Sequence, residues 1–341
     1  MNRVIPFDPS EHVASQDIRP DTTTPNLAFD LGQCLVTASQ LDQMSSPKRT
    51  ALLDRWLCSS DLGYIFAPRG VGKTWLAMAI PAAISRGLPL GEWKAGEKAC
   101  SVLYVDGEMP LELTQYRSRS LAMGDDGSVT YLHHERIFDA LGGSLNIALL
   151  EHRVALTALI VEKGFGCLIL DNLSALASGV DENKGDAYEP IGHWLLELRR
   201  RKITVIVIHH AGRNGFMRGH SKREDACSWI LELQDAKSEG EAGAKFVSHF
   251  AKPSRNTGEA MPDYEWHFTT SPEGQVTITC ALAQSSEYER FIQHVLDGVE
   301  QQKDIADMMG KPKGTICKWT KKALAEGRIG GSPRRLLPPS T

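Results

Sequence analysis

The chain has 341 residues, 42% hydrophobic and 23% charged, with a formal net charge of −4. The length suits about two ordinary globular domains, and a net acidic chain is no general polycation, so any nucleic-acid surface must be local. The 7 cysteines are scattered and odd in number, without a C-x-x-C pair, which argues against a disulfide scaffold or a structural zinc site. The opening MNRVIPFDPSEHVASQ has no apolar leader core, and no apolar run approaches the roughly 20 residues of a membrane helix, so a cytoplasmic protein is expected.

Residues 1–30 are rich in Pro, Asp, Thr and Ser without periodicity, and read as a flexible arm or a linker that packs on a neighbour. The spacing over 48–57 predicts a helix. Strands and helices then alternate. The strand 63–66 runs into APRGVGKT, residues 67–74, and a helix over 73–86 follows. This segment fits [AG]-x-x-x-x-G-K-[ST], with Ala67 at the first position, between a strand and a helix as a phosphate-binding loop requires. Gly70 and Gly72 let backbone N–H groups curl toward phosphate oxygens, and the helix N-terminus adds partial positive charge. Lys73 should reach the β and γ phosphates, and the Thr74 hydroxyl should hold Mg²⁺. Ala67, Pro68, Arg69, Val71 and Trp75 complete the expected binding segment.

The strand 101–105 ends in Asp106-Gly107-Glu108, and a helix is expected over 111–123. Hydrolysis needs a carboxylate to orient and deprotonate water. Glu108, past a flexible glycine, is the candidate, with Asp106 its rival. A short strand at 129–133 and a helix over 149–163 lead to CLILD, an apolar strand ending in Asp171, the pattern of a Walker B site that holds Mg²⁺. A helix over 188–201 precedes the strand 203–208, which ends in His209-His210. A metal site, a phosphate sensor and plain packing are all open for these histidines. Neighbouring strand residues point to opposite faces, so the two cannot easily grip one metal. Strands at 229–233, 246–251, 264–268 and 276–280, with the turn Ser271-Pro272-Glu273-Gly274, are expected as hairpins extending one edge of a mostly parallel sheet.

From about residue 284 the pattern is helical. Residues 302–309 predict a short helix with Ile305 and Met309 inward, and Gly310 turns the chain. Thr315 is expected to cap a second helix burying Ile316, Trp319 and Ala323, and residues 327–329 should start a strand or wing. The segment 311–335 holds Lys311, Lys313, Lys318, Lys321, Lys322, Arg328, Arg334 and Arg335 against the single acid Glu326. This resembles a winged helix-turn-helix with a local electrostatic footprint for DNA phosphates. A helical lid or packing module is the rival reading. The tail, 334–341, reads as loose.

Taken in order, APRGVGKTW, VLYVDGEM, LILDNLSAL and VIVIHHAGRNGFMRGHSKRED resemble the RecA-like P-loop ATPases, and among them the RepA-type hexameric replicative helicases of plasmids and phages. The resemblance spans roughly 50–282. It implies an ATPase domain over 31–283, followed by the DNA-binding module over 284–333. It implies ATP and Mg²⁺ as cofactors, Lys73 and Thr74 as the nucleotide pair, Glu108 as the acid that activates water, and Asp171 as the Walker B acid. His210 falls where the family carries a γ-phosphate sensor, and His209 becomes a packed residue. Arg213, Arg218 and Lys222 lie in the loop that carries the phosphate signal to DNA. Lys252 and Arg255, in FAKPSRN, resemble the fingers that reach the nucleotide of the next subunit, although K-P-S-R is not the common K-x-R spacing. The implied assembly is a homo-oligomer, a hexamer, working on DNA with replication partners and no membrane. An ATP-switched DNA-binding protein that loads partners or regulates transcription is the alternative, and an ATPase acting on protein partners a third.

Overall fold

The computed structural model describes residues 31–45, 48–122, 129–180, 185–211, 226–257, 260–283 and 287–339. The expected N-terminal arm and the loop residues Arg213, Arg218 and Lys222 lie outside them. Residues up to Lys48 form a unit of their own. In it a 3-10 turn, Leu31–Cys34, precedes the short helix α1, Ala38–Gln43. Thr37 caps α1 by accepting from the Gln40 N–H at 3.2 Å, and the Gln40 side chain returns the bond to the Thr37 N–H at 2.8 Å.

The second unit opens with a correction. Residues 48–57 are not helical: Ala51–Leu53 (β1) and Leu57–Cys58 (β2) form an antiparallel hairpin. Leu52, Leu53, Trp56 and Leu57 do carry a helical spacing, but all four are buried. The hairpin seats the Trp56 ring 4.9 Å from Trp93, 4.8 Å from Trp229 and 5.3 Å from Phe250. Packing on these distant rings outweighs local periodicity.

The centre is a nine-stranded sheet in the order β11-β10-β9-β8-β3-β7-β6-β4-β5. Leu62–Ala67 (β3), Val102–Asp106 (β4), Val129–His133 (β5), Cys167–Asp171 (β6), Thr204–His210 (β7) and Trp229–Asp235 (β8) run parallel. Ala244–Lys252 (β9), Tyr264–Thr270 (β10) and Val276–Leu282 (β11) add an antiparallel meander at the β8 edge. The mostly parallel sheet with an antiparallel extension is therefore as expected. β3, β4 and β6 are buried at every residue, as strands covered on both faces must be.

Alternate residues feed two cores. Ile65, Tyr104, Ile169, Ile206 and Ile208 pack with α2, Lys73–Ile84, and the tryptophan cluster. Tyr64, Leu103, Leu168, Val205 and Val207 pack on the other face with α5, Leu150–Lys163, and α7, Gly185–Arg200. Three further helices are α3, Leu111–Ser120, α4, His134–Leu141, and the single turn α6, Leu173–Leu176. The last two have no counterpart among the expected elements. α4 follows β5 without a loop, because His133 ends the strand and its side chain accepts from the Glu135 N–H.

The C-terminal module has its own apolar core. Phe291, Ile292 and Val295 of α8, Glu287–Leu296, meet Ile305 of α9, Gln302–Met309, and Ile316 and Ala323 of α10, Lys313–Ala325. Gly310 closes α9 in the left-handed conformation, as expected. Pro312, not Thr315, occupies the N-cap of α10, and its carbonyl accepts from the Thr315 N–H at 2.9 Å. Gly330–Ser332 (β12) and Arg335–Leu337 (β13) form a hairpin. Residues read as loose tail thus make a strand, because Leu336 is buried in the module's core and its N–H bonds the Glu300 carbonyl at 2.8 Å. Among the described residues no helix is long and apolar enough to cross a membrane.

Candidate active site

β3, β7, β6 and β4 lie side by side, so their C-terminal ends bring together segments far apart in sequence. Residues 67–74 leave β3 and open α2. Gly70 has φ +83° and Gly72 φ +118°, conformations that side chains resist. A Cβ on Gly72 would also stand 2.9 Å from the Ala244 Cβ and 3.0 Å from the Phe246 ring. Lys73 is buried and curls over the loop, donating to the Ala67 carbonyl at 2.9 Å and the Pro68 carbonyl at 2.7 Å. Burial pulls its ammonium down to about 8, against the pull of Asp171 and Glu108. Thr74 is half-buried in the first turn of α2. Trp75 is engaged elsewhere: its ring is 6.3 Å from Phe268 and lies 5.0 Å beneath the Arg117 guanidinium.

Asp171 ends β6 opposite Asp106 of β4. Tyr104 donates its hydroxyl to Asp171 Oδ2 at 2.6 Å. Burial raises the Asp171 carboxyl to about 7; the Tyr104 bond works against this, as does the charge of Lys73, while Asp106 and Glu108 add to it. Thr74 and Asp171 are oxygen donors, the set a hard cation such as Mg²⁺ takes, and Mg²⁺ keeps several waters, needing few protein ligands. Among the described residues no cluster of three or more His, Cys, Asp or Glu side chains is placed to hold a metal.

The two acids at the end of β4 behave differently. Asp106 is buried, and both its oxygens are used: Oδ1 accepts from the N–H groups of Glu108 at 3.1 Å and Met109 at 3.0 Å, and Oδ2 from the Thr114 hydroxyl at 2.7 Å. Glu108 is 53% exposed and turns toward the end of β7. Its Oε2 accepts from the Asn172 side-chain amide and lies 3.6 Å from His210 Nε2, which is itself 3.2 Å from Asn172 Nδ2. His210 pairs in register with Ala67 at the start of the loop. His209 is fully buried on the opposite face, as alternation requires.

Three residues here were not singled out in the sequence. Asn172 directly follows the Walker B acid in LILDN. Tyr104 sits in VLYVD, where it reads as one more apolar strand residue. Arg117, on α3, donates to Met109 Sδ at 3.1 Å.

Other expected residues lie elsewhere. Lys252 pairs with Ile230 and Ile230 with Tyr64, three residues before Ala67 in β3. The Arg255 N–H bonds the Ser228 carbonyl at 3.0 Å, and the Ser228 N–H bonds that of Leu62 at 2.7 Å. Both are thus at the end of the sheet away from the chain's own phosphate loop. Lys313, Lys318 and Lys321 are exposed on α10, and Thr315 is half-buried. Lys322 and Arg328 do not join them. Lys322 is 3.7 Å from Glu326 and 4.8 Å over the Tyr288 ring, and Arg328 forks onto Glu289 at 2.5 and 2.6 Å. Both line a cleft of about 590 Å³ that also includes His249 and Lys252 of β9. Both stay half-exposed, each paired with an acid of its own module.

The AAA domain family matches residues 26–215. That is more than half the chain, and the chain belongs to this family. No curated protein matches it. Among solved structures, the flagellar accessory protein FlaH from Methanocaldococcus jannaschii aligns with 66% of this chain and 92% of its own at 14% identity, TM-score 0.45. A KaiC-like protein from Pyrococcus horikoshii OT3 aligns with 65% of this chain and 90% of its own at 14% identity, TM-score 0.44.

Proposed function

We propose that the protein hydrolyses ATP, with Mg²⁺, at sites shared between subunits of a ring, and uses that cycle to move along or unwind DNA in the replication of a mobile element or phage. The observation that carries the hydrolytic part is the meeting of Glu108, Asn172 and His210 at the strand ends beside the loop of Lys73. The loop N–H groups and Lys73 bind the phosphates, and Lys73 exchanges two carbonyl partners for phosphate oxygens. Mg²⁺, held by Thr74 and Asp171, would offset charge on those oxygens. Glu108 takes the proton of the attacking water as the water oxygen bonds the γ-phosphorus and the bond to the bridging oxygen breaks. His210 is placed to report the γ-phosphate, and Asn172 couples it to Glu108.

The shared site is supported by the position of Lys252 and Arg255, which cannot serve their own loop and have a use as fingers on a neighbour's nucleotide. DNA contact is supported by the exposed Lys313, Lys318 and Lys321 on α10. Three helices closed by a hairpin suit a winged helix-turn-helix.

That same module favours a second reading, an ATP-switched DNA-binding protein that loads partners or regulates transcription without unwinding. Unwinding of a forked duplex separates the two. ATP-dependent strand separation supports the motor, and DNA-stimulated hydrolysis without separation supports the switch.

A further inference from the structure

We infer that His133, His134 and Glu135, acting with Thr114, are positioning residues that set the place of Glu108; the inference rests on Glu108 as the group that activates water. β5 is the edge strand of the sheet, and HHE at its junction with α4 lies outside the P-loop, Walker B and finger motifs. Yet His134 and Glu135 bond the segment that carries Glu108, and His133 reaches it through Thr114 and Asp106.

The connections form a directed chain. The Glu135 N–H donates to His133 Nδ1 at 3.2 Å, so the proton of that ring is on Nε2. Nε2 lies 3.4 Å from the Thr114 hydroxyl, which donates in turn to Asp106 Oδ2 at 2.7 Å. Asp106 Oδ1 then receives the N–H groups of Glu108 and Met109. Two further bonds fix the same segment: His134 Nε2 reaches the Met109 carbonyl at 2.8 Å, and Glu135 Oε2 accepts from the Leu111 N–H at 3.3 Å. His133 and His134 stack with ring centroids 4.7 Å apart. A loop that only joined β4 to α3 would not need bonds at Met109 and Leu111 from one remote junction, nor a link from that junction through Thr114 to the Asp106 that holds the Glu108 N–H. A carboxylate that must meet a water within a few tenths of an ångström does.

The test uses the full-length protein with ATP and Mg²⁺. Thr114→Val and His134→Ala are compared with Thr114→Ser and His134→Gln, which keep a donor at the same place. The expected result is a fall in kcat on the order of 10²-fold for the first pair, the loss that an ångström of misplacement brings. Nucleotide affinity should hold, and the conservative pair should restore the rate. Unchanged kcat in Thr114→Val and His134→Ala overturns the inference. So does a loss that the conservative pair fails to rescue and that nucleotide affinity follows in step. Glu108→Gln is measured alongside: a normal rate there removes the role of Glu108 and the inference with it. An inactive Glu108→Gln beside a fully active Thr114→Val removes the inference alone. In a Glu108→Gln background Thr114→Val should cost nothing more, and an additive loss overturns the proposal.

Discussion

Replacing Arg255 with Ala should leave ATP binding intact and remove most of the hydrolysis. Lys252 is three residues of strand and two strand spacings from Ala67, which is about 14 Å at ordinary sheet dimensions. Arg255 is further along, beyond Ser228. A lysine or arginine side chain does not cross such a gap, so neither residue serves its own nucleotide. A finger supplied by a neighbour is worth ~10³–10⁵ in rate, which sets the expected loss. The assay mixes Arg255→Ala with Lys73→Ala subunits, each inactive alone. In a head-to-tail ring a working site needs an intact loop from one subunit and an intact finger from the next. Random equal mixing makes roughly a quarter of the sites whole, so about a quarter of the wild-type rate should return. Lys252→Ala in the same scheme tells which of the two acts. Two results refute the reasoning: no recovery on mixing, or an Arg255→Ala protein that loses nucleotide affinity as well as rate.

The remaining predictions concern each part in turn. Glu108→Gln should bind ATP normally and lose about 10²–10⁴-fold in turnover, read by steady-state hydrolysis beside equilibrium binding. Replacing Lys313, Lys318 and Lys321 one at a time by Gln should weaken duplex binding and lower the salt slope by roughly one each, whereas Arg328→Gln should lower the melting temperature and leave that slope alone. His249 gives a pH dependence. Burial pulls its imidazolium down, but the hydrogen bond and charge of Asp263, with Glu232 and Glu289 nearby, outweigh it and hold the pKa above its ordinary value. Stability from this pair is therefore complete below the ordinary imidazole range, near ~6.5, and lost as pH rises through the higher folded value. Thermal melts of His249→Gln should show a smaller stability loss across that window than the wild type.

What could be read from the sequence was contiguous. The phosphate loop, CLILD and the β7 run each announce themselves within about ten residues, because strand, turn and helix geometry act locally. The β1–β2 hairpin was hidden because Leu52, Leu53, Trp56 and Leu57 have the spacing of a helix, and only the Trp93, Trp229 and Phe250 rings, remote in sequence, decide against it. Asn172 was hidden for a related reason. Its partners, Glu108 and His210, come from other strands, and nothing in LILDN tells of them. Lys322 and Arg328 count as basic residues in any window, yet each is held by an acid, Glu326 or Glu289, with Tyr288 beneath. Charge composition locates a basic segment, and packing decides which of its residues face out.

The most direct test of the account is steady-state ATP hydrolysis measured without DNA, with single-stranded DNA and with duplex. A DNA motor built on this site should hydrolyse slowly alone and be strongly stimulated by single strands. Equal rates in all three conditions, with an intact Glu108-dependent turnover, would contradict the motor and leave an ATPase whose activator is not DNA.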